Sequence, residues 1–186
     1  MQKLHVHMHK SAPHSMVEDL LIDLYPSVTF FVNNGVYTYF SIDINDTVDL
    51  PLEDLYNLLV TDFEMRFTLC YHPSAAKNLI GNAFSTTLNV LPSGTFSFEE
   101  TLFKLYKAHP ENLSTIKTNL NSVLTQTDNV TLTAFGNANM KALRAAKRLF
   151  IHRNTMQYRL DHIQEMTGID VKTFKGLFII HALQSL

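Results

Sequence analysis

The chain has one cysteine, Cys70, in 186 residues, which excludes an internal disulfide and fits a reducing compartment. That thiol lies in an alternating apolar segment, the setting of a buried side chain rather than a nucleophile. No segment approaches the roughly 18 consecutive apolar residues of a membrane span. The first residues also lack the charged-then-apolar layout of a signal peptide, so the cytoplasm is the expected location. Gly-rich and Ser-rich linkers, internal repeats and low-complexity tracts are missing. Also missing are a Gly-rich phosphate loop, a Gly-x-Ser-x-Gly elbow, a His-Glu-x-x-His helix and a Cys-x-x-Cys pair, the usual sequence signs of an enzyme. The expectation is a non-enzyme without cofactor, and the scattered Asp and Glu of the first half read as solvated surface.

What is present is an ordinary globular composition, 46% hydrophobic and 17% charged, with length for one full domain and a small one. The formal net charge of -2 conceals a split. From Val130 onward eight basic residues oppose three acidic ones, a net of +5, whereas the preceding part holds seven against fourteen, a net of -7. A polyanion is therefore drawn to the carboxy-terminal part and repelled by the rest.

In the first half, Leu4, Val6 and Met8 alternate with His5, His7 and His9, a half-buried strand by period. The imidazoles are expected on a solvated face, with a metal site including His14, or a pH-responsive cluster, as alternatives. Helical spacing runs over residues 16–25 and stops at Pro26. Residues 28–32 and 36–42 read as a β-hairpin around Asn33-Asn34-Gly35, because Asn and Gly accept the positive φ of a tight turn. Residues 52–61 are helical, 65–71 alternate as a strand, 75–88 are helical again, and Pro92-Ser93-Gly94 is a turn. This mixture predicts an α+β amino-terminal domain over residues 1–97, its antiparallel or mixed sheet covered by helices. Two further helical stretches, 98–107 and 111–124, are separated by His109-Pro110 and open an all-α carboxy-terminal domain over residues 98–186.

The strongest signal is the run Leu143-Arg-Ala-Ala-Lys-Arg-Leu-Phe-Ile-His-Arg-Asn-Thr-Met-Gln-Tyr-Arg-Leu160, two short helices joined by a tight turn, with a helix-turn-helix placed at 142–167. Ala145 and Ala146 are small enough for a crossing helix to approach. Met156, Leu160 and Ile163 recur at helical spacing and claim one face of the second helix for the core. Opposite Met156 lie Asn154, Tyr158 and Asp161, with Thr155 and His162 on one flank and Gln157 on the other. Asn and Gln can bond an adenine edge, Thr can meet a thymine methyl, and Arg153 can reach a guanine or a phosphate. Arg144, Lys147, Arg148 and Arg159 would flank the groove and neutralise phosphates, and His152 completes the candidate set. Phe150 occupies a turn position where Gly is common. Keeping a positive φ there would cost a non-Gly residue on the order of 1 kcal/mol, so a slightly different turn is expected.

The string Leu149-Phe-Ile-His-Arg-Asn-Thr-Met-Gln-Tyr-Arg-Leu160, followed by Ile163 and Thr167-Gly168-Ile-Asp170, resembles the carboxy-terminal helix-turn-helix of PucR/CdaR-type bacterial transcriptional regulators, over roughly residues 130–186. The resemblance implies DNA binding and transcription control. The element order of the first half, with the segment Tyr71-His-Pro-Ser-Ala-Ala-Lys-Asn-Leu-Ile80, is similar to the degenerate cyclase-like (GGDEF-like) domain that often precedes this unit. The Gly-Gly-acid-acid-Phe signature of active nucleotide cyclases is absent. Such regulators commonly carry a further sensory domain ahead of these parts, and this chain starts too late to hold a large one, so either a short member or a fragment is expected.

Gly168 suits a left-handed helix cap. The final segment, residues 174–183, is apolar around much of its circumference and must be buried within the domain or against a second chain. The sequence therefore points to a sequence-specific transcriptional regulator that places the helix from Asn154 in the major groove. Its expected partners are double-stranded DNA and a second copy of the chain, with an unspecified small-molecule effector. The alternative is a ligand-sensing or protein-interaction module whose helix-turn-helix no longer binds DNA, a reading prompted by Asp161 on the outward face.

Overall fold

The computed structural model describes residues 2–9, 14–25, 28–33, 38–44, 51–80 and 87–186. They divide into two compact units, one formed by Met1–Ser74 and Asn82–Thr101, the other by Ala75–Gly81 and Leu102–Leu186. The first holds the sheet and the second is all helical, matching the fold class expected from the sequence.

In the first unit the alternating start of the chain forms β1 (Gln2–Met8), followed by α1 (His14–Leu24), β2 (Val28–Asn33), β3 (Thr38–Ile44), α2 (Leu52–Phe63), β4 (Phe67–Pro73) and β5 (Gly94–Phe96). The sheet order is β2-β3-β1-β4-β5. β1 runs antiparallel to both neighbours, β2 and β3 pair antiparallel, and β5 joins β4 in parallel. The hairpin's pairing is thus present, while Asn34 and Gly35 of its expected turn lie outside the described residues. β5 occupies part of the segment read as a turn. The helix expected over 75–88 is a 3-10 turn, Ser74–Ala76, and one helical turn, α3 (Lys77–Ile80); residues 81–86 lie outside the described set.

Cross-strand register puts Leu4, Val6, Phe40, Ile42 and Leu69 on one sheet face. There they pack with Val17, Leu21 and Tyr25 at α1 and with Leu55 and Leu59 of α2, all buried. The opposite face carries His5, His7, Thr68, Cys70 and His72, and these too are buried. This corrects the solvated histidine face expected from alternation. β1 is the middle strand, and the face is covered: Thr101 Oγ1 donates to Cys70 Sγ at 3.0 Å, and the Phe98 ring lies 5.9 Å from that of His72. His5 stacks on His72 with centroids 4.4 Å apart. Burial, with His9 nearby, lowers the His7 pKa to about 3. Burial also pushes the Cys70 thiol up to about 12, so a buried, unreactive thiol is what the structure contains.

The helical unit contains α3, most of α4 (Phe98–Ala108), α5 (Ser114–Val123), α6 (Gln126–Asn137), α7 (Ala142–Arg148), α8 (Arg153–Thr167) and α9 (Phe174–Ser185). Its core includes Leu105, Ile116, Leu120, Leu132 and Phe135. α6 starts with a capping box: Thr125 Oγ1 accepts from the Asp128 N–H at 3.2 Å, and the Asp128 carboxylate accepts from the Thr125 N–H at 2.9 Å. α9 buries Leu177, Ile179, Ile180, Ala182 and Leu183 within the chain, which accounts for its apolar circumference, while Phe174 and Phe178 remain exposed.

Candidate nucleic-acid interface

α7 packs against α6 and α8, and its buried contact residues are Ala145 and Ala146. Side chains this small let two helix backbones approach closely. Arg144, Lys147 and Arg148, at i, i+3 and i+4, share the other side of α7 and are exposed.

The turn after α7 is a Schellman motif. The Ile151 N–H donates to the Ala146 carbonyl at 3.0 Å and the Phe150 N–H to the Lys147 carbonyl at 3.3 Å, with Phe150 at φ 54°. The different turn expected from the lack of Gly is therefore not found. The left-handed geometry is kept, with a phenylalanine 96% exposed to solvent at its apex. His152 then caps α8: its Nδ1 accepts the Asn154 N–H at 3.2 Å, which requires the ring proton on Nε2. A residue assigned to DNA contact from sequence thus also has a local structural role.

Along α8, Met156, Leu160, Ile163 and Thr167 are buried, as their spacing predicts. Arg153, Asn154, Thr155, Gln157 and Tyr158 are exposed and Arg159 is half-buried. Tyr158, 69% exposed, stacks against His162 with centroids 6.2 Å apart. The helix ends at Gly168, φ 74°, whose N–H donates to the Gln164 carbonyl, the left-handed cap expected from the sequence. A side chain there would also collide with Ala76, its Cβ falling 2.8 Å from the Ala76 Cβ.

Among the described residues, none of Arg144, Lys147, Arg148, Arg153 and Arg159 is engaged in an ion pair. Lys172 is engaged: its Nζ donates to Asp161 Oδ1 at 2.8 Å, and Gln157 Nε2 donates to the same oxygen at 2.9 Å. The Lys172 hydrogen bond, with a smaller contribution from Gln157, holds the Asp161 carboxyl below its ordinary range, and Asp161 in turn raises Lys172. Sequence reasoning missed this network. The i, i+4 spacing of Gln157 and Asp161 was a usable signal for half of it. The Lys172 half depends on how the chain after Gly168 folds back.

Residues 130–183 match the family described as the PucR C-terminal helix-turn-helix domain. The chain is 46% identical over 55 residues to the carbohydrate diacid regulator of Escherichia coli, a match covering 29% of this chain and 14% of that protein. It is 51% identical over 37 residues to the proline-responsive transcriptional activator PutR of Bacillus subtilis, covering 20% of this chain and 9% of the activator. The chain thus spans a small fraction of the length of either relative. It also aligns with a regulator of polyketide synthase expression from Bifidobacterium adolescentis over 99% of its own length and 79% of that chain, at 14% identity and a TM-score of 0.49. Among the described residues no helix is long and apolar enough to cross a membrane.

Proposed function

We propose that the chain is a sequence-specific DNA-binding transcriptional regulator that inserts α8, from Asn154 onward, into the major groove. The observation that carries this reading is the exposed polar leading half of α8, which starts at Arg153 and is flanked by cations without ion-pair partners among the described residues. Arg and Lys supply affinity through phosphates, and Asn154, Thr155 and Gln157 supply base-edge contacts. The PucR-type domain and the regulators that share it support the same reading. A homodimer would set two such helices about 34 Å apart on a two-fold symmetric operator.

The test is selection of a cognate duplex from a random pool by the purified full chain, followed by titration across salt. With about four phosphates contacted per domain, log affinity falls against log salt with a slope of about -3.6. Arg153→Ala and Asn154→Ala each weaken cognate binding by about 1–3 kcal/mol while far-UV circular dichroism stays unchanged. Absence of a mobility shift on any duplex at low salt would overturn the proposal and favour a protein-interaction module.

A further inference from the structure

We propose that Asp161 is a positioning residue that fixes the amide of Gln157, so that α8 presents an adenine-reading edge at the base pair Gln157 meets. This rests on the DNA-binding reading above. An unrestrained glutamine amide can turn either its oxygen or its nitrogen toward a given neighbour. A carboxylate only accepts, so the amide must give its nitrogen to Asp161, as it does at 2.9 Å. One amide hydrogen is used in that bond. In the proposed arrangement that is the hydrogen anti to Oε1, so the other stays on the Oε1 edge, which carries one donor beside one acceptor. That pair complements adenine N7 and the adenine N6 amine in the major groove. Gln157 is exposed on a flank of α8, about 100° round the helix from Met156, and a side chain ordered before DNA arrives loses less freedom on binding.

A bare carboxylate among phosphates would repel them, and Asp161 on the outward face was the sequence feature least compatible with DNA. Lys172 resolves this: its ammonium sits 2.8 Å from the same Oδ1, so the group that orients Gln157 brings a countercharge with it. Asp161 and Lys172 both remain substantially exposed, where an ion pair contributes little to stability. The arrangement is therefore better explained by orientation of Gln157 than by holding the fold.

The test uses the full chain and its selected duplex, with every base pair substituted in turn in competition binding. Gln157→Ala should abolish preference at one A·T position, where the wild type discriminates by roughly 5- to 150-fold, the range of a good bidentate contact. Asp161→Ala and Asp161→Ser should reduce preference at that same position to within about threefold, leaving other positions and thermal unfolding unchanged. Lys172→Ala should weaken all duplexes alike and keep the preference. The proposal is overturned if the Asp161 variants retain wild-type discrimination, if Gln157→Ala changes no position, or if the position it changes is not A·T. Failure of the wild type to bind any duplex is a separate result that removes the DNA-binding reading itself.

Discussion

Replacing Phe150 by glycine should stabilise the protein, although it deletes a large aromatic side chain. Phe150 holds φ 54° at the C′ position of the Schellman motif that ends α7. A left-handed backbone costs an L-residue about 1–2 kcal/mol, and glycine removes that cost while adding about 0.5–1 kcal/mol through the greater freedom of the unfolded chain. The ring offers almost nothing in return. At 96% exposure it buries only a few per cent of a typical aromatic area, about 0.2 kcal/mol. The net gain for Phe150→Gly is about 0.5 kcal/mol or slightly more. With an m-value of about 2 kcal/mol per molar, the urea midpoint rises by roughly 0.3 M at unchanged m. Phe150→Ala keeps the left-handed residue and should leave the midpoint where it was. A fall of 0.3 M or more in the glycine variant, or a large loss in the alanine variant, would mean that the ring has a packing partner, and the reasoning would fail.

Gly168→Ala should do the opposite, because φ is 74° and the new Cβ would sit 2.8 Å from the Ala76 Cβ and 2.9 Å from its backbone nitrogen. A loss above about 2 kcal/mol in urea unfolding is expected, and a neutral result would refute the close approach. Thr125→Ala removes the capping box of α6 and should cost about 1 kcal/mol, with Thr125→Ser restoring it; equal midpoints for all three proteins would show that the cap is dispensable. His7 takes up a proton near pH 6.5 when unfolded but only near 3 when folded, so the unfolded chain binds more protons in between. Stability is full above pH 6.5 and falls as pH drops toward 3, by up to about 1.4 kcal/mol per unit; a flat urea midpoint between pH 7 and pH 5 would contradict this. Cys70, buried and shifted to about 12, should react with a thiol-specific chromogenic reagent at pH 8 only as the protein unfolds, and prompt labelling of native protein would place the thiol elsewhere.

The helix-turn-helix was legible because its information is local. Met156, Leu160 and Ile163 announce one face, and the residues between them fall on the other. Period two in β1 was legible as well, but it reports only that side chains alternate. Whether the second face is wet depends on β3, β4 and the residues near Phe98 and Thr101, all distant in sequence. α6 gave no signal because polar residues stand where apolar ones mark a face: Asp128 and Thr131 are buried, satisfied by the Thr125 cap and by the Thr127 carbonyl. β5 is three residues long and exists only through its pairing with β4. At Phe150 the residue preference pointed away from the geometry that the backbone hydrogen bonds of the turn retain.

The polypeptide passes between its two units three times, since Ala75–Gly81 packs with the helices although sheet residues precede it and first-unit residues follow it. That short passage is well anchored: Leu79 and Ile80 are buried, Asn119 Nδ2 donates to the Leu79 carbonyl at 2.9 Å, and Ala76 lies under Gly168. No single cut therefore releases the helical half whole. A piece trimmed to start at Leu102 would lose part of its own footing, and a graft of this domain onto another protein must bring the wandering seven residues along or refill the space they leave.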